Sequence, residues 1–171
     1  MTHRYKREVV RSYAKRWWDG RNPAYLSFSD DCTNFISQCI FAGGIKKEYT
    51  SNVESGFWYR GNGNKTDTWS FSWTMSHSLR WYLASESGQK IATRVKTAKE
   101  MKIGDVISMD WDGDGAWHHT AVVVGFDKEG EPLVAAHSRN SYNRLWNYKT
   151  SPAWTPKTAY IFWHILDELP E

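Results

Sequence analysis

The chain has 171 residues, 40% of them hydrophobic and 24% charged, which is typical of a single globular domain with a sizeable core. The net charge is only +3, and the lysines and arginines are spread along the chain, so nucleic acid is not an indicated partner. No apolar run reaches the roughly 18 residues that a membrane span needs. The 11 tryptophans and 9 tyrosines are compatible with a binding groove or with dense aromatic packing.

The N-terminus carries basic residues without an apolar segment behind them, so no signal peptide is predicted. We therefore expect either a cytoplasmic protein or a domain of a longer exported protein that works outside the cell or in the cell wall. The two cysteines do not decide between these compartments. Cys32 and Cys39 are separated by about 10 Å if they share a helix, which is too far for a disulfide.

Two helices are predicted in the first quarter of the chain. Residues 5–18 place apolar side chains on one stripe, and the breakers at 19–23 end that helix. Apolar residues at 35–40 recur at helical spacing, with Ser and Asp in front and Gly43-Gly44 behind. This pattern predicts a short helix with Cys32 in or next to its first turn.

The middle of the chain is rich in aromatic residues. Residues 45–65 show little regularity and predict a long loop, and long loops in compact domains tend to be functional. Residues 69–73 alternate as a strand would, and helical spacing returns at 75–83. We expect this region to form part of a substrate groove, with four residues on its wall: Trp58, Tyr59, Trp69 and Trp73.

The second half of the chain is predicted to be β-rich, with residues 127–131 as a hairpin turn. Helices followed by strands predict one α+β domain over residues 1–171, with N-terminal helices packed on an antiparallel β-sheet. The candidate strands are 91–95, 105–110, 119–126, 133–137 and 159–165.

Cys32 is the candidate nucleophile. Free N–H groups and the positive end of the macrodipole at a helix start favour a thiolate over a thiol. A cysteine among apolar residues is more often a small buried hydrophobe, and we expect Cys39 to be one. Cys32 alone is therefore only a candidate, and the rest of the chain has to support it.

Candidate partners for the cysteine follow in the strands. His118 and His119 open a buried strand, and only one of them can face Cys32 because neighbouring strand residues point to opposite sides. Pairing across the hairpin places His137 within about two positions of facing His119, and Asn140 follows. A cysteine, a histidine and a third polar residue have complementary roles in acyl transfer.

Several motifs follow one another along the chain: residues 31–38 (DCTNFISQ) with 42–44 (AGG), 104–107 (GDVI), 112–115 (DGDG), His119 with 122–123, and His137-Ser138. Together they resemble the putative amidase-domain family of bacteria, which is similar to the papain-like CHAP and NlpC-type cysteine hydrolases. The resemblance covers nearly the whole chain.

The resemblance implies that Cys32 is the nucleophile and His119 the base, in a papain-like fold. The third position most resembles His137, with Asn140 as the alternative, and His118 is expected to face away. Two further motif residues support the helix start, Asp31 as a cap and Asn34. The backbone N–H of Cys32 is the expected oxyanion donor.

Two metal-binding patterns are incomplete. Residues 110–115 carry oxygen ligands and a glycine as a calcium loop does, but the position of the bidentate acid holds Ala121, so a Gly-rich turn is the better interpretation. The cysteine and histidines lack the short paired spacing of a zinc site. We expect neither a metal nor a cofactor.

The sequence therefore predicts a cysteine-dependent amidase or peptidase that acts on a peptide or a peptidoglycan-derived substrate. One alternative is a cell-wall or glycan-binding module with vestigial catalytic residues, which the aromatic surplus would suit. Another is an acyltransferase or transglutaminase-like enzyme that uses the same cysteine and histidine but passes the acyl group to an amine.

Overall fold

Four helices precede the main sheet in the computed structural model, which describes residues 1–171. Their bounds are Arg7–Trp17 (α1), Cys32–Ala42 (α2), Phe71–Thr74 (α3) and Ser76–Ala84 (α4). The predicted α1, α2 and α4 are confirmed. None of the four has the length and apolarity that crossing a bilayer requires.

The main sheet has six strands, all paired antiparallel, in the order β4-β9-β5-β6-β7-β8. The prediction of an α+β fold with an antiparallel sheet is confirmed. The strands are Ala92–Val95 (β4), Val106–Asp110 (β5), His119–Phe126 (β6), Pro132–Ala136 (β7), Ser141–Leu145 (β8) and Ala159–Ile165 (β9).

Two small sheets complete the strands. Thr2–Arg4 (β1) pairs with Glu168–Pro170 (β10), so the two ends of the chain lie together. Tyr59–Arg60 (β2) pairs with Thr68–Trp69 (β3), and this hairpin replaces both the predicted loop and the predicted strand at 69–73. Position 71 begins α3 instead.

The hairpin between β6 and β7 sets the register of the site. Phe126 pairs with Pro132, directly on either side of the predicted 127–131 turn. A bulge between Val123 and Gly125 then shifts the pairing by one residue. Because side chains alternate along a strand, this shift changes the face on which every later residue of β7 lies relative to β6.

β6 is buried on both faces and separates two clusters of core side chains. Val122 and Val124 belong to the larger cluster with Phe35 of α2, whereas Ala121 and Val123 belong to a smaller cluster on the other face. By the same alternation Thr120 lies on the α2 face and His119 on the opposite one. Residues 32–40 of α2 are all buried, so this helix is central to the domain.

Candidate active site

Cys32 is the first residue of α2, as predicted. The backbone N–H groups of Cys32, Thr33 and Asn34 have no acceptor within the protein, while the N–H of Phe35 bonds to the Asp31 carbonyl. This is the expected set of free donors at a helix start. The Cys32 side chain itself is only 2% exposed.

A cluster of three hydroxyl groups lies beside the Cys32 thiol. Ser76 Oγ lies 3.4 Å from Sγ, and the Ser76, Thr33 and Thr120 hydroxyl oxygens lie 2.7 to 3.1 Å from one another. Sγ also lies 3.6 Å from Asp30 Oδ1. The thiol is therefore held by neutral hydroxyls and one carboxylate, without a cation.

These surroundings keep Cys32 protonated. Burial raises the pKa of the Cys32 thiol, and the Asp30 carboxylate raises it further, while the Ser76 hydroxyl opposes the increase. The predicted preference for a thiolate is thus outweighed by desolvation in the resting structure. Cys39 is fully buried, as predicted, and burial raises its thiol pKa well above the ordinary value.

His119 is the first residue of β6 and is neutral. Its Nε2 lies 3.0 Å from the Tyr148 hydroxyl, and its Nδ1 has no hydrogen-bond partner. Burial, with a contribution from the positive charge of Arg144, lowers the pKa of His119 to about 4. Burial also raises the pKa of Tyr148 to about 12, so the hydroxyl is protonated at neutral pH.

Cys32 and His119 form no direct hydrogen bond, but they share neighbours. The backbone N–H of Thr120, next to His119, acts on the Cys32 thiol and lowers its pKa. The carboxylate of Asp30, beside Sγ, acts on His119 and opposes the decrease of its pKa. Both groups therefore belong to one site at the start of β6.

His118 does not face away from this site, contrary to the prediction. It is exposed and lines the same two depressions as Asp30 and Trp111. Its Nδ1 accepts the backbone N–H of Trp111 at 3.1 Å, so the neutral ring carries its proton on Nε2. His118 therefore has no free lone pair, whereas His119 Nδ1 has one when its Nε2–H donates to Tyr148.

His137 lies on the other side of β6 from His119. Continued past the bulge, the register places His137 opposite Thr120 rather than Ala121, and so on the α2 face. Its Nδ1 lies 2.6 Å from Asp31 Oδ2, and its ring stacks on Phe35. The predicted contact with His119 is therefore not made.

Asn140 and Asp31 do not have their predicted roles either. Asn140 is exposed and its Oδ1 accepts a bond from Arg21 at 3.5 Å. Asp31 does not cap α2 with its side chain; its carboxylate accepts bonds from the Phe28 N–H and the Asn34 amide. Asn34 in turn accepts the indole N–H of Trp73, so the motif residues form a buried polar chain.

Two surface depressions meet at this site. One has a volume of 610 Å³ and includes Ser76, and the other has 280 Å³ and includes His119. Asp30, Trp111 and His118 line both. Cys32 itself lines neither depression, but its neighbours Asp30 and Ser76 do, so a substrate lying across the two would contact the residues that enclose the thiol.

Most of the aromatic residues predicted for the groove are in the core. Trp58, Tyr59 and Trp73 are 3%, 1% and 0% exposed, so they line no surface that a substrate reaches. Only Trp69 lines the larger depression. The sequence did not identify Trp111 or Tyr148 as site residues: Trp111 lies in the Gly-rich segment 110–115, whose motif concerns only the acids and glycines, and Tyr148 lies in the loop after β8.

The Gly-rich segment 110–115 is a turn between β5 and β6, as predicted. The Asp110 carboxylate accepts backbone N–H bonds from Asp112, Gly113 and Gly115, and both glycines have positive φ angles. Both carboxylate oxygens of Asp110 thereby accept hydrogen bonds within the turn. No group of three His, Cys, Asp or Glu side chains is arranged to hold a metal ion.

The sequence matches the family described as "Putative amidase domain" over residues 4–163. This chain belongs to that amidase-domain family. It is 46% identical to the uncharacterized protein YhbB of Bacillus subtilis (strain 168) over 164 residues, and 27% identical to the uncharacterized protein YjcM of the same strain over 157 residues. No solved structure matches it.

The amidase-domain chain covers only part of these relatives. The YhbB match includes 96% of this chain and 51% of the relative, and the YjcM match includes 86% and 34%. The chain thus spans about half the length of the first relative and a third of the second. Membership of the family indicates amide hydrolysis.

Proposed function

We propose that this domain hydrolyses amide bonds with Cys32 as the nucleophile and His119 as the general base, in a papain-like arrangement. The main support is the presence, in one site, of a thiol at a helix start and a neutral histidine whose Nδ1 is free. Both groups lie beside Asp30, where the two depressions meet. Family membership supports the reaction type.

The reaction follows from these two groups. The Cys32 thiol gives its proton to His119 Nδ1, and Sγ attacks the carbonyl carbon of the substrate amide. The imidazolium then protonates the leaving amine, which departs as the thioester forms. Water, deprotonated by His119, attacks the thioester, and the carboxylic acid leaves as Sγ regains a proton.

Free backbone donors support the charged intermediate. The carbonyl oxygen becomes negative when Sγ adds to the carbon, and the N–H groups of Cys32 and Thr33 have no acceptor in the protein. Fixed donors at the positive end of a helix stabilise such an oxyanion without rearrangement. They are the oxyanion hole of this proposal.

The neutral resting state is compatible with this mechanism. Cys32 is a thiol and His119 is unprotonated, so both begin in the forms that the first proton transfer requires. Side-chain hydrogen bonds at active sites are often completed only when substrate binds. We propose that a substrate in the depressions brings Sγ and Nδ1 into contact.

The proposed substrates are peptides, including peptidoglycan-derived ones. The experiment incubates the protein with such peptides and identifies products by mass spectrometry. We expect cleaved fragments in which one carries a new carboxylate and the other a new amine. Added hydroxylamine should give a hydroxamate from the thioester, and transfer to an added amine in preference to water would favour the acyltransferase alternative.

Matched variants decide which residues act. Cys32→Ala and His119→Ala should abolish cleavage, while Cys39→Ala and His118→Ala should retain it. Unchanged turnover by Cys32→Ala would exclude the mechanism. The buried, protonated thiol favours one rival, a non-catalytic wall-binding module, which would bind cell-wall material equally well with and without Cys32 and cleave none of the peptides.

A further inference from the structure

The smaller depression holds two arginines that form no ion pair and donate no hydrogen bond within the protein. Arg139 and Arg144 both line the 280 Å³ depression together with His119. The arginine side chains that form ion pairs are those of Arg7, Arg11 and Arg21, all elsewhere in the sequence. The guanidinium N–H groups of Arg139 and Arg144 also donate no hydrogen bond to the protein.

Arg144 is held in place by an aromatic ring rather than by an acid. Its guanidinium lies 3.9 Å from the centre of the Tyr148 ring, and Tyr148 bonds to His119. The charge of Arg144 acts on the pKa of His119 and of Tyr148. Stacking fixes the planar group while leaving its N–H donors free.

The only carboxylate in the same depression is already engaged. Asp30 Oδ1 accepts the Ser138 hydroxyl at 3.0 Å and faces the Cys32 thiol at 3.6 Å. His118, also in the depression, accepts a backbone N–H and is a donor at its other nitrogen. The depression therefore carries an excess of positive charge and free donors beside the proposed base.

We infer that Arg144 and Arg139 bind a carboxylate of the substrate close to the scissile amide. A guanidinium offers a planar pair of donors that matches a carboxylate, and the pairing is strong where water is partly excluded. The preferred substrates are then peptides with an acidic side chain or a free C-terminus at this position. This inference rests on the proposed amide hydrolysis at Cys32.

Peptide binding tests the inference without requiring turnover. The Cys32→Ala protein is titrated with acetyl-Ala-Glu-amide, with acetyl-Ala-Ala carrying a free C-terminus, and with neutral acetyl-Ala-Gln-amide. We expect one of the two anionic peptides to bind at least about fivefold more tightly than the neutral one. The peptide that binds more tightly shows whether the bound carboxylate belongs to an acidic side chain or to a free C-terminus.

Matched arginine variants assign the preference to this depression. Arg144→Gln should remove it, and Arg139→Gln should reduce it. Arg94→Gln should leave the preference unchanged. Arg94 lies on β4, where its guanidinium stacks over Trp163 of β9. β4 is at the opposite edge of the sheet from β8, which carries Arg144. Equal binding of the three peptides, no saturable binding of either anionic peptide, or a preference that survives Arg144→Gln would overturn the inference.

The outcome is separate from that of the proposed function. Amide hydrolysis is measured independently, as cleavage of the peptidoglycan-derived peptides by the unmodified protein and by Cys32→Ala. Carboxylate preference without Cys32-dependent cleavage would retain the binding site and reject the hydrolase. Cys32-dependent cleavage without carboxylate preference would retain the hydrolase and reject this substrate class.

Discussion

Asp31 and His137, 106 positions apart in sequence, form a buried pair with 2.6 Å between Oδ2 and Nδ1. His137 Nε2 lies 2.7 Å from the Trp17 carbonyl at the end of α1. The pair thus joins the end of α1, the start of α2 and the end of β7. We interpret it as the support that fixes the first turn of α2, and with it Cys32.

Breaking this pair should destabilise the domain. His137→Ala leaves the Asp31 carboxylate buried with fewer partners, and the loss of one member of a buried pair costs about 3–5 kcal/mol. Urea unfolding followed by tryptophan fluorescence measures the change. His77→Ala, at an exposed histidine, is the control, and an equal midpoint for the two variants would contradict the structural role.

The Ser76 hydroxyl should lower the pKa of Cys32. Ser76→Ala removes the 3.4 Å contact with Sγ, and without this hydrogen bond to the thiolate the pKa of the Cys32 thiol rises further. The pH dependence of Cys32 alkylation measures the shift. Ser78→Ala, on the same helix, should leave the profile unchanged, and a downward shift in Ser76→Ala would refute the assignment.

Burial of His119 should make the domain less stable in acid. The pKa is about 4 in the folded protein and about 6.5 in the unfolded chain, so the unfolded state binds more protons between these values. Stability therefore falls as pH decreases from 6.5 to 4, by roughly 3 kcal/mol at most. The free energy of unfolding, measured with denaturant across this pH range, should decrease less for His119→Phe than for the unmodified protein.

Tyr148 should fix the tautomer of His119. If Nε2–H donates to the Tyr148 hydroxyl, Nδ1 keeps the lone pair that the proposed mechanism uses. ¹⁵N NMR of the imidazole should show the Nε2–H form in the unmodified protein and a mixture in Tyr148→Phe. Tyr142→Phe is the matched control, and an Nδ1–H form in the unmodified protein would exclude His119 as the base in this orientation.

The strands of the main sheet were predictable because their residues are buried. Residues 119–126 form an apolar run closed by a polar turn, and α2 has a helical repeat ended by glycines. β8 has neither signal, since the edge strand Ser141–Leu145 is mostly polar and Asn143 has a positive φ angle. Position and hydrophobic pattern together sufficed for the four interior strands and for the edge strand β4, but not for the edge strand β8.

The site was less predictable than the sheet. Motif residues located Cys32 and His119, but hydrophobic pattern could not reveal that Trp58, Tyr59 and Trp73 fill the core rather than line a groove. Nor could a pattern of alternation anticipate the bulge that moves His137 to the α2 face. Tyr148 reaches His119 from a loop beyond β8, and nothing local in the sequence marks it.

Because of the bulge before Gly125, His119 and His137 lie on opposite faces of the main sheet. Without the extra residue, continuous pairing would put His137 on the face of β6 that holds His119, and the Asp31 carboxylate would lose its partner. Deletion of one residue from this hairpin would therefore exchange a structural histidine for a second imidazole near the proposed base. The length of this strand is thus as much a determinant of the site as the identity of its residues.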